Sequence, residues 1–140
     1  MGIDIYMSWK DQTKEEKEAQ LTGFSVHSGH VGYLREAYHG GPYATKVLLP
    51  ECFGLPVEDP QDRGLVNPVN DEDRTFEYPY WVLRRRLELT LATAKERSIR
   101  VYQEPSEDDS PQIKAFTDFV ELAERKEKET GKPVTIYASY

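Results

Sequence analysis

Gly23-Phe24-Ser25-Val26-His27-Ser28-Gly29-His30-Val31-Gly32-Tyr33-Leu34-Arg35-Glu36-Ala37-Tyr38-His39-Gly40-Gly41-Pro42-Tyr43-Ala44-Thr45 is the stretch on which the reading of this chain turns. It holds all three histidines of the protein and five of its nine glycines. In order, it parses as strand, turn, helix and stop. Phe24 and Val26 alternate with Ser25 and His27, which predicts a strand over 22–27 broken at Ser28-Gly29. Val31, Leu34, Ala37 and Tyr38 recur at helical spacing and predict a helix over 31–39. Gly40 is placed to end it and Pro42 to prevent its continuation. Gly32 in the first turn opposes that helix by roughly 1 kcal/mol against alanine.

Working outward, Ile3, Ile5, Met7 and Trp9 alternate with Asp4, Tyr6 and Ser8, the period of a half-buried strand. Thr13 and Glu16 have the spacing of a capping box, which predicts a short charged helix to about Leu21. Ala44 to Leu49 fits a third strand or a helix fragment. From Pro50 to Asp73 prolines and glycines punctuate a long surface loop, with a helical turn near Glu51 and a lid over the site as its functional reading. Tyr80, Leu83, Leu87, Leu91 and Ala94 form the apolar stripe of a helix over 80–97 that opens after Pro79. The alternation of Ile99 and Val101 with Arg100 and Tyr102 predicts a strand over 98–103. Ser110-Pro111 opens a second long helix with Ile113, Phe116, Val120 and Ala123 inward, stopped at Gly131 and Pro133. A last strand runs from Val134 to Ser139. Its Ile136-Tyr137-Ala138-Ser139-Tyr140 repeats the pattern of Ile5-Tyr6-Met7-Ser8-Trp9, which suggests neighbouring places in one sheet.

These elements sum to an α+β fold: one domain over 1–140, with a mixed or antiparallel sheet of four to five strands and two long helices packed on one face. At 140 residues the chain can bury roughly two-thirds of its unfolded surface and needs no disulfide or metal staple. The single cysteine, Cys52, forms no internal disulfide, so a reducing cytoplasm is expected. No run of about 18 apolar residues suggests a membrane span, and the N-terminus lacks the apolar region of a secretory signal. The net charge of -7 is local. Residues 58–73 carry -5 and residues 104–109 carry -4, leaving +2 on the rest. Outside Arg84-Arg85-Arg86 there is no basic footprint, which argues against nucleic-acid binding.

The 23–45 stretch offers three forms of chemistry. A metal held by His27, His30 and His39, or with Asp4 or Glu36, lacks the i, i+4 spacing of a helical ligand pair, so no metal and no cofactor is expected. Nucleophilic catalysis fares no better: Gly23-Phe24-Ser25-Val26-His27 has a histidine where a nucleophile elbow needs glycine, and Cys52 lies in no cysteine-enzyme signature. Anion binding fits a strand-turn-helix mouth of backbone N–H groups lined by Ser28, Gly29, His30 and Gly32, with Arg35 in reach. The candidate ligand-binding set is His27, Ser28, Gly29, His30, Arg35 and Tyr38. With no complete catalytic set, the leading expectation is a binding or protein-interaction module. The alternative is a small enzyme or anion-binding protein using those six residues. The partner is then another protein or a small anionic ligand, and homo-oligomers are compatible with both.

Overall fold

The alternation at the start of the chain forms strand β1 (Gly2–Ser8), which buries Ile3, Ile5 and Met7 and turns Asp4 and Tyr6 to the other face. The structure is a computed structural model, and it describes residues 2–21, 28–57, 60–62, 64–69 and 74–140. The strand expected over 22–27, His27 with it, lies outside the described residues, as do the acids Glu58, Asp59, Asp71, Glu72 and Asp73.

Helix α1 (Lys14–Leu21) begins at the expected capping box. The Glu16 amide donates to Thr13 Oγ1 at 3.1 Å, and the Thr13 amide donates to Glu16 Oε1 at 2.9 Å. Its one buried residue, Gln20, donates from Nε2 to the carbonyls of Met7 and Val31 at 2.7 and 2.8 Å. A polar side chain therefore ties this poorly apolar helix down.

The helix expected over 31–39 is not formed. A 3-10 turn at Gly29–Val31 leads into strand β2 (Tyr33–Ala37), antiparallel to β1 with Ile5 opposite Leu34. Gly32 lies between them at φ +90°, where a Cβ would sit 2.8 Å from Gln20 Nε2 and 3.0 Å from Met7 Cβ. That dihedral breaks any helix through Gly32, and the edge of β1 supplies backbone partners a nine-residue helix would lack.

Beyond β2, helix α2 (Ala44–Leu48) settles the ambiguity over 44–49 in favour of helix. Glu36, buried on the core face, accepts from the amides of Ala44 and Thr45 at 2.9 and 2.8 Å and from Thr45 Oγ1 at 2.5 Å. It thereby satisfies the start of α2 from a neighbouring strand. The segment expected as a surface loop is partly interior: a 3-10 turn at Pro50–Phe53 buries Cys52, and Asp62 is buried too. Strands β3 (Asn67–Pro68) and β4 (Thr75–Tyr78) follow, neither of them foreseen.

Helix α3 (Tyr80–Tyr102) absorbs the strand expected over 98–103. Ala94, Arg97 and Ser98 continue its buried face while Ile99 points outward, so the helical period prevails over the alternation. Gln103, at φ +56°, ends it. Helix α4 (Pro111–Thr130) runs from Ser110 to Gly131 as expected and buries Ile113, Phe116, Phe119, Val120 and Ala123. Strand β5 (Val134–Ser139) completes an antiparallel sheet in the order β2-β1-β5-β4-β3. The chain's two end strands are thus central neighbours, with Ile5 opposite Ala138. Helices α3 and α4 pack against the sheet, and Ile3, Ile5, Met7, Val134 and Ile136 form its side of the core. The other face carries Asp4, Tyr6, Tyr33, Arg35 and Tyr137. Among the described residues, no helix is long and apolar enough to cross a membrane.

Gly29 is pressed against the backbone of α4: an added Cβ would lie 1.8 Å from the Ala115 carbonyl oxygen. Gly29→Ala should lower the unfolding free energy by about 3 kcal/mol. Gly54→Ala meets nothing within 4 Å and carries only the cost of φ +67°, about 1 kcal/mol. Urea unfolding of the two variants separates crowding from dihedral strain.

Candidate functional site

The titratable residues of the 23–45 stretch go to different places. Arg35 lies on the helix-free face of the sheet, where Nη1 donates to Asp4 Oδ1 and Oδ2 at 2.7 and 2.9 Å. Tyr33, absent from the expected set, donates its hydroxyl to the same Oδ1 at 2.5 Å. Burial, then the bond to Asp4 and its charge, push the Tyr33 hydroxyl well up. Tyr6 stacks beside this group, 5.3 Å from the Tyr33 ring and 6.4 Å from the Tyr137 ring. Tyr38 is exposed at the far end of β2, edge-on to Tyr43 at 6.2 Å. His39 meets Tyr102 at the end of α3, with Nδ1 3.3 Å from the hydroxyl. Gly29 is pressed onto α4, beside Ser28. Asp4 and Glu36, the candidate carboxylate ligands, are engaged by Arg35 and by α2, and no metal-binding cluster occurs among the described residues.

His30 opens onto a groove. It has a volume of about 270 Å³ and lies between α1, the 29–31 turn and α4. Trp9, Ala19, Val31 and Leu122 give it apolar walls, and Glu15, Glu16, Arg125 and Lys126 give it charge of both signs. A second, more polar hollow of about 390 Å³ adjoins it, sharing Trp9, Glu16 and Lys126. Lys126 is the post between them. Its Nζ is 3.4 Å from Glu16, 3.2 Å from Glu129 and 5.1 Å from the centre of the Trp9 ring. The bond from the Thr13 amide, ahead of the nearby Lys126 charge, holds the Glu16 carboxyl below its ordinary range. One carboxylate thus caps α1 and joins it to α4. The local sequence signal for that wall was the capping box; nothing local indicated Lys126 as its partner.

The strongest polar cluster is elsewhere and is closed. Arg86 donates from Nη1 and Nη2 to Glu51 at 2.9 and 2.7 Å, from Nε to Asp62 at 3.1 Å and from Nη1 to the Leu48 carbonyl at 3.1 Å. Tyr78 donates to Glu51 at 3.0 Å, and Cys52 Sγ lies 3.5 Å from the Tyr78 hydroxyl. Burial disfavours the Arg86 charge, yet its bonds to Glu51 carry its pKa above the ordinary value. Burial also pushes the Cys52 thiol up to about 12 and the Tyr78 hydroxyl well above its usual value. A thiol so protonated is no nucleophile at neutral pH. The cluster pins Glu51 and Asp62 to α3.

Arg86→Met should cost about 3–5 kcal/mol, since it leaves Glu51 buried without its cation and Asp62 paired with Arg85 alone. The folded chain holds the Cys52 proton that the unfolded chain releases above about pH 9, so stability should fall as pH rises from 9 towards 12. Unfolding midpoints across that range check the sign. Cys52→Ser should flatten the slope without removing it, because Tyr78 contributes in the same direction.

No family model matches the chain, no curated protein matches it and no solved structure matches it.

Proposed function

We propose that this chain is a protein-interaction module whose groove between α1 and α4 seats an apolar side chain of a partner's peptide segment. The observation that carries the reading is the lining: Trp9, Ala19, Val31 and Leu122 together with two acids and two bases. Apolar walls with a few placed polar groups are the usual make-up of a recognition site. The balance of charge disfavours a ligand of strong single sign and suits a peptide, whose backbone offers donors and acceptors together. At about 270 Å³ the groove takes one large side chain rather than a cofactor. A small anion held by His30 and Arg125 is the second reading. Their shared place on the groove favours it, and Glu15 and Glu16 on the same groove oppose it.

Ala19 is exposed on α1, so Ala19→Arg should fill the groove while leaving the helix intact. Peptides selected from a random displayed library should share an aliphatic or aromatic anchor and lose at least about tenfold in affinity, roughly 1.4 kcal/mol, on the Ala19→Arg protein. If no selected peptide is sensitive to that substitution, the groove is not the recognition site. Inorganic phosphate binding abolished by Arg125→Ala would favour the anion instead.

A further inference from the structure

Helix α3 has an outward face that the groove does not use. Trp81, Leu89 and Ile99 on it are 38%, 64% and 58% exposed. At 3.6 residues per turn, Trp81, Arg85, Glu88, Ala92, Glu96 and Ile99 fall on one stripe opposite the buried Thr90, Thr93, Ala94 and Arg97. The helix is 23 residues long, and from Trp81 to Ile99 the stripe runs for roughly 27 Å.

We propose that the chain forms a two-fold symmetric homodimer in which these α3 faces pack antiparallel, with the axis between Thr90 and Leu91. The charges and the apolar residues choose the same register independently. Arg85 and Glu96 stand equidistant from that axis, so each guanidinium meets the partner subunit's Glu96. Leu89 and Ala92 are also equidistant and pack across it, and Trp81 reaches the partner subunit's Ile99 to within about one residue. Glu88 faces the partner subunit's Lys95 to within about two. In an antiparallel pair, residues flanking the seam on one side meet their counterparts on that side. Arg85, Leu89 and Glu96 flank one side, and Trp81, Glu88 and Lys95 the other, as these pairings require.

A parallel pairing would instead set Arg85 against Arg85 and Glu96 against Glu96. The occupant that fits is therefore a second copy of this chain in the opposite direction. Within one subunit Arg85 already bonds Asp62 at 2.6 Å and lies over the Trp81 ring at 5.6 Å, while Lys95 bonds Asp108 at 2.6 Å. These contacts hold both cations in place, and the partner's carboxylates add to them. A seam of one helix pair is small, which places the dimer among weak, concentration-dependent ones.

Sedimentation equilibrium of the full chain tests this. The wild-type protein should show a concentration-dependent dimer. Glu88→Lys and Lys95→Glu, each at the protein surface, should each weaken it by about tenfold or more, because each sets like charges across the seam. The double variant restores opposite charges and should return the dissociation constant to within about threefold of wild type. Ala92→Cys should yield a covalent dimer on mild oxidation. A chain that stays monomeric up to about millimolar with unchanged circular dichroism, or a double variant no better than the singles, overturns the proposal. Ala19→Arg, which blocks the groove, should leave dimerisation unchanged, so the two readings fail separately.

Discussion

Strand β1 needs a backbone partner on each edge and a hydrophobic cover on one face, and the rest of the fold answers those needs. Its edges are filled by β2 and β5, drawn from well inside the chain and from its C-terminal end. Its buried face, Ile3, Ile5 and Met7, is part of the core that α4 covers with Ile113, Phe116, Phe119, Val120 and Ala123. Each such side chain removed from water contributes about 1.5–3 kcal/mol. Antiparallel sheets can leave the other face to solvent, and here that face carries tyrosines and an Asp4–Arg35 pair.

Around this layer, charged side chains do the joining. Glu36 points into the core and satisfies the first amides of α2, so a carboxylate among apolar residues has neutral N–H partners in place of water. Arg97, buried on α3, donates to the carbonyls of Ala37 and Gly40 and lies 5.1 Å from the centre of the Tyr43 ring, which docks the β2–α2 connection. Arg86 does the same for the 3-10 turn at Pro50–Phe53 through Glu51, and for Asp62. The tyrosine-rich composition has its counterpart in these joints, where Tyr33 and Tyr78 meet charged partners.

The candidate groove forms at a separate joint, where Lys126 closes on Glu16. Trp9 follows β1, Glu16 caps α1, Val31 ends the 3-10 turn and Lys126 comes from α4. Three histidines crowd the 23–45 stretch. The structure distributes its described members: His30 to the groove, Arg35 to the open sheet face, and Tyr38 and His39 to contacts with Tyr43 and Tyr102. Glycines that looked like site residues have a steric purpose. Gly29 allows contact with α4, and Gly32 allows the reversal into β2.

What the sequence determined by itself was whatever a local period or a terminal signal can encode. The alternation of β1 and β5, the Thr13–Glu16 box, the Ser110–Gly131 limits of α4 and the α+β class were all legible, because each depends on residues close in the chain. The likeness of the two ends even indicated their adjacency. Only the tertiary structure decided that Tyr33–Ala37 is a strand, that Ile99 and Val101 belong to a helix, that Thr75–Tyr78 joins the sheet and that Lys126 closes on Glu16. The physical reason is common to all four. A strand draws its hydrogen bonds from a distant edge, a helix end is held by what buries it, and an ion pair between helices has no spacing in sequence.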